Sequence, residues 1–112
     1  MNSEQLRLLT KMKKLVCQGK RKFENRLDRN YLDDILELGI SLEEAWNHIL
    51  TLNKNLYIPD QKASYLSNKN TLIFKKNINN ILTYIKLKIE IVNGNEEITV
   101  CLSFHKDRKK SV

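Results

Sequence analysis

Proline occurs once in this chain, glycine three times and cysteine twice. With so little glycine there is no G-x-G-x-x-G and no P-loop to cradle a nucleotide phosphate. H-E-x-x-H, paired-cysteine zinc spacing and an acidic cluster suited to a two-metal nuclease are also absent. The nearest acidic run, Asp33-Asp34 with Glu37, falls on a predicted helix and reads as its solvated face. Cys17 lies on a predicted helix and Cys101 on a predicted strand, without C-x-x-C spacing. They are too few for a disulfide framework, so a reducing cytoplasm is the expected compartment. No apolar run approaches the roughly eighteen residues of a membrane span, and the polar start Asn2-Ser3-Glu4-Gln5 does not read as a signal peptide. Repeats and low-complexity linkers are missing as well, and no cofactor or metal is expected.

Positive charge is what the sequence has in excess. Lys and Arg number 20 against 13 Asp and Glu, a formal charge of +7. That balance points to a polyanionic partner, either nucleic acid or an acidic protein. The plain alternative is a basic coding bias, because the chain is rich in Lys, Asn and Ile. Its length of 112 residues and 41% hydrophobic content fit a single domain spanning 1–112, with a modest core and a basic tail over 106–112 that is expected to fray.

The N-terminal half has helical periodicity. Ser3 is placed to cap a helix from about Glu4 to Gln18, in which Leu6, Leu9, Met12, Leu15 and Val16 form the apolar stripe and Gly19 terminates it. Its other face carries Arg7, Lys11, Lys13 and Lys14, followed by Lys20, Arg21 and Lys22: a solvated basic face or a phosphate contact. Asn30 can cap a second helix that turns Leu32, Ile35, Leu36 and Leu38 inward and ends at Gly39. Ser41 and Glu44 form a capping box for a third, which buries Ala45, Trp46, Ile49 and Leu50 and leaves His48 partly exposed. Tyr57 and Ile58 suit a short edge strand that Pro59 stops, and Asp60 to Asn70 reads as a loop over the sheet.

From Leu72 to Arg108 the period changes to two. In Ile81 to Ile91 the odd positions are apolar except for Thr83, and the even ones include Tyr84, Lys86, Lys88 and Glu90. In Glu97 to His105 the parity reverses, with Ile98, Val100, Leu102 and Phe104 on the apolar face and Thr99, Cys101, Ser103 and His105 on the other. A two-residue turn at Asn79-Asn80 pairs Ile78 with Ile81 and sets Lys75 opposite Tyr84. A two-residue turn at Asn93-Gly94 then sets Tyr84 opposite Ser103, and a four-residue loop from Asn93 to Glu96 sets it opposite His105. The expected fold is α+β: N-terminal helices packed on a small antiparallel sheet of three or four strands. One row of its polar face holds Lys75, Tyr84 and either Ser103 or His105.

Four stretches carry a family resemblance: Leu38-Gly39-Ile40 before the helix with Trp46, Leu50-Thr51-Leu52 through Tyr57, Tyr84-Ile85-Lys86-Leu87-Lys88-Ile89, and Leu102-Ser103-Phe104-His105-Lys106. In their order and spacing the chain resembles the MqsR branch of the RelE-like ribonuclease toxins over roughly Leu15 to Lys106. The resemblance implies a metal-independent endoribonuclease that cleaves messenger RNA, free or on the ribosome, and is held inactive by a cognate antitoxin. It carries the Tyr of the family's Tyr-x-Lys strand onto Tyr84. The basic residue after Ser-Phe falls on His105, where the founding member has Lys, and the polar residue after the first-strand aromatic, Gln in that member, falls on Lys75. The family's loop lysine after the third helix has no clear counterpart, since Tyr57-Ile58-Pro59-Asp60 stands there.

Metal-free RNA cleavage needs a group to accept the 2′-hydroxyl proton, a group to protonate the leaving 5′-oxygen and cations against the phosphorane charge. His105, Tyr84, Lys75 and Lys86 are the catalytic candidates, with His105 suited to acid or base work near neutral pH. Lys76, Lys88, Tyr57, Lys106 and Arg108 are the candidates for holding RNA. The competing class is a non-catalytic RNA-binding or protein-sequestering module that uses the same basic face, since alternating lysines mark any solvated sheet. Base-stacking sheets commonly pair aromatics, and this face offers only Tyr84. A DNA-reading regulator would want a basic recognition helix, whereas the third helix carries Glu43, Glu44, Asn47 and His48.

Overall fold

The computed structural model describes residues 1–25, 30–59 and 70–107. Helix α1 (Ser3–Cys17) begins one residue earlier than Ser3 capping would allow, because Asn2 is the cap. Its side chain accepts from the Gln5 amide, and the Gln5 side chain closes the box on the Asn2 amide. Strand β1 (Arg21–Phe23) follows, then helices α2 (Tyr31–Glu37) and α3 (Leu42–Leu50), a short 3-10 turn (Lys54–Leu56), and strands β2 (Thr71–Ile78), β3 (Ile81–Val92) and β4 (Glu96–Lys106). The sheet order is β1-β4-β3-β2. The fold is α+β, as its patterning predicts, with the helices largely N-terminal and the sheet C-terminal.

The fourth strand comes from an unexpected segment and has an unexpected direction. Tyr57 makes only an isolated bridge to Phe74, with the Ile58 amide donating to the Ile73 carbonyl, and adds no full edge strand. Instead β1 pairs parallel with β4, Lys22 opposite Val100, so the sheet is mixed. Basic residues on both sides mask this strand in the sequence. Its anchor is Phe23, whose ring centroid lies 4.3 Å from Trp46 and 5.1 Å from Tyr31.

One face of the sheet is covered by α1 and α3. Met12, Val16, Ala45 and Ile49 pack there on Phe74, Ile85, Leu87 and Phe104, all fully or nearly fully buried. The buried Thr99 hydroxyl donates to the Met12 carbonyl across this interface at 3.0 Å. Two inward assignments on α2 and one on α1 do not hold: Leu32, Leu36 and Leu6 are exposed, and α2 meets the core through Ile35, the partly buried Tyr31 and, at its C-cap, Leu38. Seven residues make barely two turns, so α2 can present only a narrow stripe.

The hairpin geometry decides what shares a face. Asn79 and Asn80 both have positive φ and pair Ile78 with Ile81, as the two-residue turn requires. The second turn has neither two residues nor four: Val92 pairs with Glu96 and leaves Asn93, Gly94 and Asn95 between them. From there Thr99 and Cys101 lie opposite Ile89 and Leu87 and face the helices, the reverse of the parity expected for β4. Beyond Cys101 the register shifts by one, because Leu102 is an extra residue. That β-bulge restores the expected arrangement at the strand's end, with Ser103 opposite Lys86, Phe104 opposite Ile85 and His105 opposite Tyr84.

Gly39 links α2 to α3 at φ +76°, and a Cβ there would stand 3.3 Å from the Asn79 side-chain nitrogen, which donates to the Leu38 carbonyl. Gly94 also has positive φ but open space around it. Gly94→Ala is therefore expected to cost about 1–2 kcal/mol, the strain of the left-handed backbone alone, and Gly39→Ala measurably more. Denaturant midpoints of the two variants check this, and equal losses would contradict it.

Candidate functional site

The bulge places Lys75, Tyr84 and His105 in one row across β2, β3 and β4, on the face turned away from α1 and α3. The Tyr84 and His105 rings stack with centroids 5.4 Å apart and planes 17° from parallel, so the phenol fixes the plane of the imidazole. His105 is only 7% exposed. Its Nδ1 lies 2.9 Å from the Lys106 carbonyl. A carbonyl can only accept, so Nδ1 carries the proton. In the neutral ring Nε2 is then the bare acceptor, and it is buried without a hydrogen-bond partner. Leaving such an atom unpaired costs about 1–3 kcal/mol.

Ser103 stands two residues before His105 on the same face, 5% exposed, and its hydroxyl is likewise buried without a partner. Lys86 lies across from it. Lys75 is less available than its position suggests, because its ammonium pairs with the Asp107 carboxylate at 3.1 Å in a largely buried contact. The Asp107 amide donates to the Leu82 carbonyl at 2.8 Å. The chain is thus docked through Asp107, and fraying of the basic tail does not begin at Lys106. Sequence reading placed Ser103 in the row only as an alternative to His105, and it missed Asp107. Asp107 sits two residues past His105, so extending the period-two alternation by one step would have found it.

The candidate RNA contacts are dispersed. Lys88 is on the same face as His105 but pairs with Glu90 at 3.4 Å, and Lys22 approaches the same carboxylate at 4.0 Å. Lys76 faces the helices, where its ammonium donates to the Thr51 hydroxyl at 2.6 Å. Together with Lys13, which donates to the Leu52 carbonyl, it caps the C-terminal end of α3. Tyr57 is also held on the helix side, its hydroxyl accepting from the Gln5 side chain at 2.8 Å. Lys106 is exposed opposite Thr83, off the row, and Arg108 lies outside the described residues, as does most of the expected loop from Asp60 to Asn70. A cleft lined by Phe23, Tyr31, Asp34, Ser103 and His105 opens along β4 where β1 ends. Its volume of about 10 Å³ holds one water molecule and not a nucleotide, so any RNA lies along the face.

Cys101 is fully buried on the helix side, donates to the Ser103 carbonyl at 3.3 Å, and has its thiol pKa pushed far up by burial. It is a packing residue. Among the described residues no three His, Cys, Asp or Glu side chains converge as a metal site, and no helix is long and apolar enough to cross a membrane. Comparison of the chain with protein-family models, with curated proteins and with solved structures gives no match.

Two measurements follow. Iodoacetamide should alkylate the native protein at exposed Cys17 alone, with Cys101 reacting only on denaturation; mass spectrometry distinguishes one adduct from two, and rapid double labelling would contradict the burial. His48 is the second case. Its pKa is lowered from 6.5 by burial and then by Lys76, with Glu44 opposing. The unfolded chain therefore binds the proton more readily, and stability falls as pH drops below about 6.5. His48→Gln should flatten that part of the stability-pH curve in urea titrations, and an unchanged slope would contradict the assignment.

Proposed function

We propose that this chain is a metal-independent endoribonuclease that cleaves messenger RNA, a toxin neutralised by a cognate antitoxin, as its sequence resemblance to the MqsR branch of the RelE-like toxins implies. The observation that supports the reading most is the row of Lys75, Tyr84 and His105 on one sheet face, with an unpartnered imidazole nitrogen at its end. In the proposed reaction the ribose 2′-oxygen attacks the adjacent phosphorus and its proton passes to His105 Nε2. The P–O5′ bond breaks, leaving a 2′,3′-cyclic phosphate and a 5′-oxygen that takes its proton from water, and the imidazolium returns its own proton to the hydroxide so formed. Stacking on Tyr84 and the Nδ1 bond to the Lys106 carbonyl hold the ring in the tautomer that can accept. Lys86, in no ion pair among the described residues, stabilises the charge that develops on the phosphorane. Lys75 contributes only once substrate phosphate competes with Asp107 for its ammonium. Because Nε2 is buried in the free protein, substrate must displace local structure to reach it.

End-labelled RNA incubated with the protein in excess chelator should be cut, and the same oligonucleotide with 2′-deoxy substitutions should not. His105→Gln should slow cutting by about 10²- to 10⁴-fold, the range for loss of a general acid or base, with affinity for the 2′-deoxy oligonucleotide little changed. Retention of RNA without scission would replace the enzyme by a binding module.

A further inference from the structure

The bulge at Leu102 moves two side chains to the second face of the sheet: His105 and Ser103. Had the pairing that joins Leu87 to Cys101 continued unbroken, Ser103 would have stood opposite Ile85, inside the helix-covered core. Instead it lies opposite Lys86, next to the Tyr84–His105 pair. There the residue is only 5% exposed, and its hydroxyl is buried with no hydrogen-bond partner. A hydroxyl with no protein partner costs stability, and no described side chain or backbone group supplies one. Serine hydroxyls rotate freely to donate or accept, so this one can donate to an anion once the displacement that bares His105 Nε2 uncovers it as well.

The spacing suits a phosphate. Residues two apart on a strand are separated by about 7 Å, a span that two hydrogen bonds of about 2.7 Å each close around one tetrahedral group. One side of that span carries the bare His105 Nε2, which suits a hydroxyl proton. The other carries the Ser103 hydroxyl, which suits a non-bridging phosphate oxygen, and Lys86 across from it supplies charge. We infer that Ser103 is a further catalytic residue, donating a hydrogen bond to a non-bridging oxygen of the scissile phosphate as negative charge builds there. This deepens the ribonuclease reading and rests on it. Because the bond forms with the transition state and not within the free fold, Ser103 serves the reaction at the expense of stability.

The test is Ser103→Ala, measured three ways with the full chain: cleavage of end-labelled RNA under single-turnover conditions, affinity for the uncleavable 2′-deoxy oligonucleotide, and thermal stability. The expected result is cleavage slowed by about 10- to 100-fold, somewhat below the loss seen for a main oxyanion donor, with affinity within about threefold and melting temperature equal or higher. Cleavage equal to that of the unaltered protein overturns the role of Ser103 and leaves the ribonuclease reading standing. A lower melting temperature overturns it too, since the hydroxyl would then have a structural partner. Failure of the unaltered protein to cut RNA at all removes the ribonuclease reading, and the Ser103 role with it.

Discussion

One surplus residue in a strand governs the chemistry available to this fold. Side chains alternate along a β-strand, so inserting Leu102 into β4 without a counterpart in β3 reverses every face assignment beyond it. Before the bulge, Thr99 and Cys101 point to the helices; after it, Phe104 does. The strand can therefore close the core with an aromatic at one end and a small hydroxyl residue at the other while presenting Ser103 and His105 on the opposite face. The aromatic seals the same cluster that holds Phe23 and Trp46, and the short β1 that carries Phe23 ends where the bulge begins.

The charge excess reads differently once partners are assigned. Lys11 pairs with Glu97, Arg21 with Glu43 while also lying over the Trp46 ring, Lys22 and Lys88 with Glu90, and Lys75 with Asp107. Most of these contacts are at least partly solvated and contribute little to stability. The Lys75–Asp107 pair is the least exposed of these, and so the least screened by solvent. Local pairing thus leaves the sheet face far less cationic than composition suggests, and a polyanion bound there meets, apart from Lys86, cations already engaged with carboxylates.

Much of the architecture was legible because it depends on local chemistry. Ser41 with Glu44, the Asn79-Asn80 turn and the alternation of β3 each carry their geometry within a few residues, and the structure has all three. The Lys75–Tyr84 pairing followed from that turn. What was not legible depended on tertiary context. β1 is three residues long and is defined by Phe23 reaching Trp46, and Leu32 and Leu36 have helical spacing yet face outward because the short α2 rests on the edge of β4. The Tyr84–His105 pairing was one of two alternatives, and the structure reaches it by a different route, a three-residue turn and a bulge in place of a four-residue loop. No periodicity distinguishes a bulge from a longer turn, since both move the register by whole residues.

The account depends on which way the end of β4 faces. Nuclear Overhauser contacts from the His105 imidazole, in uniformly labelled protein at neutral pH, read this directly. The bulged register places those contacts on the Tyr84 ring, with Nδ1 protonated and Nε2 bare in the long-range nitrogen spectrum. Contacts to Thr83 and the helix-side core in place of Tyr84 would mean an unbroken register, and the grouping of Lys75, Tyr84, Ser103 and His105 on one face would not exist.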